Sequence, residues 1–375
     1  MSARFLTVVL ERAFNMRDGF GREIDYMRIS VIDSCNLNCY YCNPCDNNEH
    51  CHALNILSVK EVLCIVRAAT RLGIKHFRLT GGEPLLHPQL DEMVLQIKKI
   101  PGVSSVSLTT NAVLLAQHAK WLKEAGIDSI NVSLDTIDAS EYERITKKPL
   151  LEEVKHGINA AIECGIRVKI NVVLTPQTDV VALTRYVAKK GTDIRFIEMM
   201  PVGEGHTNGV EPYKKVIGTL SKLYGEPCRI NTEKTKEINS GNDKRKIPDN
   251  GPAEYYIFPE LGIRVGLIQA IHGKFCATCN RIRVTADGRL MPCLGSSVTM
   301  DLVPDSCEFT DDLEKDFVIV QALKAAIKAK PGCHNFNDNA VTYTKTTETK
   351  TVETKTTELK AAEVNAARNM SRIGG

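Results

Sequence analysis

The sequence lacks a dominant charge of either sign: 48 Lys and Arg against 45 Asp and Glu leave a formal net charge of +3. So small a balance gives no global argument for binding nucleic acid or a membrane surface. An anionic ligand would have to be met by arginines placed locally. The sequence also lacks an apolar run long enough to cross a bilayer. It lacks a convincing secretory signal, because the stretch Phe5 to Leu10 is short, is broken at Glu11, and leads to no clear cleavage site. These absences predict a cytoplasmic protein without nucleic-acid or membrane partners. Cysteine is not scarce, with thirteen in 375 residues. Without a secretory route, that number points to a reducing compartment and metal binding rather than disulfides. The 43% hydrophobic and 25% charged content is ordinary for a globular chain, and the length allows two or so units with a sizeable core.

The cysteines are grouped. Cys35-Asn36-Leu37-Asn38-Cys39-Tyr40-Tyr41-Cys42 follows a short strand-like run, Tyr26 to Asp33, and spaces its thiols C-x3-C-x2-C. A 4Fe–4S cluster has four irons, usually held by four thiolates. A loop that offers three leaves one iron open, and an open metal position can bind and activate a ligand. Two other readings compete on spacing. A structural zinc loop more often uses two separated C-x2-C pairs. A ferredoxin-type site draws support from Cys45, which extends the run to Cys39-x2-Cys42-x2-Cys45. A second set lies far along the chain, Cys276-x2-Cys279-x13-Cys293, with Arg281 and Arg283 alternating on one strand face beside it. His272 is near enough to complete a zinc site, and a second iron–sulfur cluster with one open iron is the alternative. Two guanidiniums on one face suit a phosphate or a purine edge, although isolated arginines commonly occupy a solvated face.

Strand-like and helix-like segments alternate from residue 26 onward. The runs Tyr26–Asp33, His76–Thr80, Val103–Thr109, Ile127–Leu134, Arg167–Leu174 and Asp193–Met199 are short and rich in β-branched residues, with longer helical patterns between them. Ser58 and Glu61 form a capping box, and Gly126 and Gly165 stand where helices stop. Six strand–helix repeats predict a parallel sheet, either an open doubly wound one or a partial (β/α) barrel. The chemistry-bearing residues fall at carboxyl ends of predicted strands. The cysteine loop follows strand one, Gly81-Gly82-Glu83-Pro84 strand two and Thr109-Thr110-Asn111 strand three. Ser133 and Asp135 close strand four, and Met200 follows strand six. That is the face on which βα loops build active sites. The glycine pair reads as backbone that a ligand approaches closely, or as an ordinary turn. Asp18 to Arg22 reads as a turn, residues 206–270 are mixed, 232–250 look solvated, and 313–329 look helical. Residues 344–358, TKTTE-TKTVE-TKTTE, have too few apolar positions for a packed element and read as a linker before Gly374-Gly375. Cys64 and Cys164 fit helix cores, whereas Cys228, Cys307 and Cys333 carry no reading.

The cysteine loop, with an aromatic before its third thiol, and the Gly-Gly-Glu-Pro turn resemble the radical S-adenosylmethionine (SAM) superfamily. The two incomplete cysteine sets, the stretch Asn280-Arg-Ile-Arg-Val-Thr-Ala-Asp-Gly288 and the terminal Gly374-Gly375 are similar to the GTP 3′,8-cyclase family, which opens molybdenum cofactor biosynthesis. The likeness runs from Gly21 to Asn337 and resumes at Met370. It implies an α/β fold: a lead-in over 1–25, a partial (β/α)6 TIM-type barrel over 26–205, and a C-terminal extension over 206–337 carrying a second iron–sulfur cluster. A threonine-rich flexible linker over 338–369 and a tail over 370–375 would follow. It implies two 4Fe–4S clusters as cofactors, with Cys35, Cys39 and Cys42 on the SAM cluster and Cys276, Cys279 and Cys293 on the second. Tyr41, Gly82, Ser133 and Met200 would contact SAM. Arg28, Arg78, Thr109, Lys169, Arg281 and Arg283 would bind GTP, and Gly374 and Gly375 would join Arg281 and Arg283 in catalysis.

The implied reaction takes hydrogen from the 3′ carbon of GTP and joins that carbon to carbon 8 of guanine. Its product is (8S)-3′,8-cyclo-7,8-dihydroguanosine 5′-triphosphate. The resemblance further implies a reductant protein or small electron donor and hand-over to cyclic pyranopterin monophosphate synthase, and it admits a homodimer. The chain departs from the family pattern at Ser34, where arginine is usual, at the extra Cys45 and Cys51, and in the threonine-rich repeat. A radical SAM enzyme that modifies peptides would need no Gly374-Gly375, and a non-enzymatic iron–sulfur or zinc scaffold would cleave no SAM.

Overall fold

The computed structural model describes residues 16–42, 55–202, 209–230, 251–296, 298–302, 312–334 and 336. The Phe5–Leu10 stretch, Cys45, Cys51, Cys307, the 232–250 loop, the threonine repeat and Gly374-Gly375 lie outside the described residues.

Six strands stand where the sequence predicts them: β1 (Tyr26–Ser30), β2 (His76–Thr80), β3 (Ser105–Thr110), β4 (Ser129–Ser133), β5 (Val168–Leu174) and β6 (Asp193–Glu198). The mixed region adds β7 (Cys228–Ile230), β8 (Glu254–Ile257) and β9 (Arg264–Ile268), and β10 (Arg281–Val284), β11 (Arg289–Met291) and β12 (Met300–Asp301) follow. The described strands form one sheet in the order β12-β11-β10-β1-β2-β3-β4-β5-β6-β9-β8-β7. From β10 through β1 to β6 and β9 every pairing is parallel, and the outer pairs on both sides are antiparallel.

Parallel neighbours need a long crossover. Helices supply it: α1 (Val59–Arg71), α2 (Leu90–Lys98), α3 (Leu115–Glu124), α4 (Ala139–Thr146), α5 (Leu151–Glu163) and α6 (Val180–Lys189). The expected capping box opens α1, with Ser58 Oγ accepting from the Glu61 amide at 3.3 Å and Glu61 Oε2 from the Ser58 amide at 2.8 Å. Gly126 and Gly165 end α3 and α5 in the left-handed region, at φ 87° and 68°. Later come α7 (Gly218–Tyr224) and α8 (Asp312–Lys328). The last of these is tied to α1 by an ion pair of 3.1 Å between Arg71 and the buried Asp316.

Strand side chains alternate between two faces, and here the faces differ sharply. Met27, Ile29, Phe77, Leu79, Val106 and Leu108 are fully buried in the main core, as are Ile130, Val132 and Val172 farther along the sheet. Most of the alternate residues, among them Arg28, Arg78, Ser107, Thr109, Asn131 and Lys169, are polar and line a cavity. Two strips are set by register. Arg283, Arg28 and Arg78 lie side by side across β10, β1 and β2. Thr109, Asn131 and Lys169 do the same across β3, β4 and β5.

The lead-in turn is present. Asp18 Oδ1 accepts from the amides of Phe20 and Arg22 at 2.9 and 3.0 Å, and Gly21 takes φ 79°. It does more than turn the chain. Arg22, held by Asp18 at 2.6 Å, donates to the carbonyls of Cys276 and Pro331 at 2.7 and 2.6 Å. The start of the described chain is thereby fastened to its far end.

Candidate active site

The cavity has a volume of about 780 Å³, in the upper part of the range for ligand pockets. All the predicted site residues that fall within the described chain line it. Cys35, Cys39 and Cys42 are on one side, and Cys276, Cys279 and Cys293 belong to the C-terminal segment. Tyr41, Gly82, Ser133, Met200, Arg28, Arg78, Thr109, Lys169, Arg281 and Arg283 line the same cavity.

The first cysteine loop is braced from several elements. Backbone bonds join Asn38 and Tyr40 to the carbonyls of Thr146 and Ile145 at the end of α4, at 3.0 and 3.1 Å. The Tyr41 hydroxyl donates to Asp135 Oδ2 at 2.5 Å, and Asp135 Oδ1 accepts from the Val173 amide at 2.8 Å. Burial lifts the Asp135 carboxyl to about 6. Burial, then the neighbouring Asp135, holds the Tyr41 phenol well above its usual range. Glu83 anchors the loop from beneath. It accepts from Thr110 Oγ1 and the Asn111 amide, both at 2.7 Å, and from the Leu85 amide at 3.0 Å. Asn111 then donates to Asn36 Oδ1 at 2.7 Å and approaches Cys35 Sγ at 3.8 Å.

The glycine pair has a further physical reason beside the expected one. A Cβ on Gly81 would stand 2.4 Å from the Ile32 carbonyl oxygen, and one on Gly82 would stand 2.1 Å from that of Ser34. The amides of Gly82 and Glu83 donate to Ile32 and Ser34 at 2.7 and 2.8 Å. Chain packs on chain here, so the glycines fix the entry to the cysteine loop as well as facing the cavity.

The donor sets suit iron–sulfur clusters in kind. Each brings three thiols to the cavity wall, and thiolates are the usual ligands. Burial pushes Cys35 up to about 11 and raises Cys39 further, so loading must release protons there. The second set is electrostatically different. Burial works against ionisation of Cys279, but Arg281 and Lys330 outweigh it and bring the thiol down to about 7. Among the described residues no three His, Cys, Asp or Glu side chains converge on a single-ion site. His272 does not complete one: its Nδ1 pairs with Glu198, and it stands outside the cavity lining.

The arginines crowd one another. Burial and then Arg283 hold Arg28 well below the ordinary guanidinium range, and burial and then Arg281 bring Arg283 down to about 10. Arg281 also lies over the Phe275 ring at 5.0 Å. Such a strip of buried cations is stabilised by a polyanion, with bidentate guanidinium–phosphate bonds the natural match.

Comparison with known proteins agrees with this geometry. Residues 29–182 match the radical SAM superfamily model and residues 192–336 match the model for molybdenum cofactor synthesis C. A GTP 3′,8-cyclase of Clostridium perfringens strain SM101 is 36% identical over 324 residues, covering 86% of this chain and 95% of the relative. The same-named protein of Petrotoga mobilis is 35% identical over 331 residues, covering 86% and 96%. This chain belongs to the GTP 3′,8-cyclase family.

Family membership carries with it a 4Fe–4S cluster and SAM, and it disfavours the peptide-modifying and scaffold readings. Streptococcus suis SuiB shares the fold at 15% identity and a TM-score of 0.53, over 79% of this chain and 65% of SuiB. A structure titled native anSMEcpe with bound AdoMet does so at 16% identity and 0.50, over 79% and 82%. No helix among the described residues is long and apolar enough to cross a membrane.

Several cavity residues were not foreseen. Asn131, Asn171 and Arg195 line it beside Lys169, and Arg195 Nε donates to Asn171 Oδ1 at 3.0 Å. Period-two alternation along β4, β5 and β6 is a signal that finds them. No sequence signal points to Arg22 reaching the carbonyls of Cys276 and Pro331.

Proposed function

We propose that this chain is a radical SAM cyclase that converts GTP to (8S)-3′,8-cyclo-7,8-dihydroguanosine 5′-triphosphate in molybdenum cofactor biosynthesis. One observation carries the reading: two three-cysteine sets and a strip of buried cations share one cavity. In this reading Cys35, Cys39 and Cys42 hold the SAM cluster, and Tyr41, Gly82, Ser133 and Met200 contact SAM. Cys276, Cys279 and Cys293 hold a second 4Fe–4S cluster on the extension over 206–337. β1 to β6 and their helices form the partial (β/α)6 barrel over 26–205.

A 4Fe–4S cluster held by Cys35, Cys39 and Cys42 would supply one-electron reduction chemistry toward bound SAM. The chain's own residues bind and orient. Arg28, Arg78, Arg281 and Arg283, with Thr109 and Lys169, take GTP, and their attraction for phosphate is strengthened by burial. The Asp135–Tyr41 and Glu83–Asn111–Asn36 contacts fix the cysteine loop. Gly374 and Gly375 are proposed to enter the site on the tether of 338–369. An electron donor, hand-over of the product to cyclic pyranopterin monophosphate synthase, a homodimer and a cytoplasmic location complete the proposal.

The test is anaerobic reconstitution with iron and sulfide, followed by dithionite and SAM, with and without GTP. Iron should approach eight per chain, about four for each cluster. The cyclised nucleotide should form only with GTP, and deletion of Gly374-Gly375 should stop it without lowering iron. Four irons plus one zinc, or SAM cleavage with GTP unchanged, would refute the assignment.

A further inference from the structure

Asn111, Asn131 and Asn171 all line the cavity, and two of them are engaged. Asn111 donates to Asn36 Oδ1 at 2.7 Å, and its own Oδ1 accepts from the Val113 amide at 3.0 Å. Asn171 Oδ1 accepts from Arg195 Nε at 3.0 Å. Asn131 differs from both. It is 4% exposed, and its Oδ1 is buried with no hydrogen-bond partner among the described residues. A buried amide carbonyl left unpaired is costly, so it calls for a donor from elsewhere. Alternation along β4 sends Ile130 and Val132 to the core and turns Asn131 to the cavity, where a ligand can supply that donor.

The neighbours of Asn131 narrow the donor. In register it stands between Thr109 and Lys169, both proposed above to take GTP. Ser133, proposed to contact SAM, is the next residue on the same face of β4, about 6.6 Å nearer the strand's carboxyl end at about 3.3 Å per residue. Asn131 therefore lies at the junction of the two ligands. Phosphate oxygens accept and cannot serve a carbonyl; the arginines and Lys169 suit them. The part of GTP that must meet SAM is the ribose, since hydrogen leaves its 3′ carbon. A ribose hydroxyl both donates and accepts, so it can answer Oδ1 and also take a bond from Nδ2. We propose that Asn131 is a specificity-determining residue that holds a ribose hydroxyl of GTP beside SAM and so separates ribonucleotides from deoxyribonucleotides. This role rests on the reading of the cavity as a GTP site and adds to it the residue that reads the sugar.

The experiment is equilibrium binding to the reconstituted full chain, without SAM. The nucleotides are GTP, 2′-deoxyGTP and 3′-deoxyGTP. The proteins are the wild type, Asn131→Ala and Asn131→Leu, of which the leucine variant roughly keeps the side chain's volume. Iron content equal to the wild type shows that a variant has folded. The wild type should prefer GTP over at least one deoxynucleotide by about tenfold, the size expected when one hydrogen bond is lost and a buried carbonyl is left unpaired. Both variants should lose that factor for GTP and keep the affinity for that deoxynucleotide, so that the preference disappears. Equal weakening of all three nucleotides would place the amide on the base or the phosphates and overturn the proposal. A preference that survives in both variants would overturn it too. GTP bound by the wild type without any preference would remove the role of Asn131 and leave the GTP reading standing, whereas a wild type that binds none of the three would overturn both.

Discussion

Glu83 is a buried carboxylate with three donors and, among the described residues, no cationic partner, and replacing it by glutamine should change stability in a pH-dependent way. It accepts from Thr110, Asn111 and Leu85, and it is 1% exposed. Burial outweighs these bonds and lifts its carboxyl from 4.5 to about 7. A carboxyl raised in the folded state favours the protonated fold. The stability it contributes is therefore present below about 4.5 and is lost as pH rises through about 7. At about 1.4 kcal/mol for each pH unit, that gap amounts to about 3 kcal/mol. Glutamine is nearly isosteric with the protonated acid and does not titrate. Relative to the wild type, Glu83→Gln should gain about 3 kcal/mol between pH 4.5 and pH 8, offset by a constant loss at every pH from the accepted bond that an amide nitrogen cannot keep.

Urea unfolding of cluster-free protein at both pH values measures this, with equal slopes required of the two chains. Taking the difference between them cancels other titrating groups. The stability should come at a functional cost. One glutamine amide N–H would face the Asn111 amide, loosening the Asn111–Asn36 contact, so the first site should bind iron less firmly. Parallel curves, with a constant difference between pH 4.5 and 8, would show that burial of Glu83 does not govern its ionisation.

Two further outcomes follow from particular contacts. Arg283→Ala should keep both clusters while weakening GTP about ten- to a hundredfold, the size expected when a charge-assisted bond worth about 1.5–3 kcal/mol is lost; equilibrium binding checks it, and unchanged affinity would refute it. Gly82→Ala should lower iron uptake at the first site, because its Cβ would stand 2.1 Å from the Ser34 carbonyl oxygen. Overpacking of this kind costs about 1–3 kcal/mol, and iron analysis in a chain lacking Cys276, Cys279 and Cys293 isolates the effect.

Much of the site is legible in the residues themselves. C-x3-C-x2-C and C-x2-C-x13-C announce thiol sets by spacing, and the ends of five of the six predicted strands carry the flanking motifs. The capping box at Ser58 and the stops at Gly126 and Gly165 are local effects, decided within a few residues, and so they survive into the fold. Other features went unread although a signal existed. Asn131 on β4, Asn171 on β5 two residues after Lys169, and Arg195 on β6 follow the two-residue period that separates cavity from core. The reading of Gly81 and Gly82 found the right residues and only part of the reason, since the atoms that exclude a side chain belong to Ile32 and Ser34. The 206–270 region resisted because its strands are short and antiparallel at the edge, and their partners are distant in sequence.

By itself the sequence determined the two three-cysteine spacings and which face of each strand the cavity-lining side chains take, because spacing and period are properties of a local chain. Only the tertiary structure decided their neighbours. It set Arg283 between β1 and the second cysteine set, in register with Arg28 and Arg78, so that three like charges share one strip. It brought Arg22 from the lead-in to the backbone carbonyls of Cys276, Pro331 and Gly332. The physical reason is that desolvation and charge–charge coupling depend on distances through space. Residues remote in sequence acquire those distances only when the strands pair in their parallel register along the cavity.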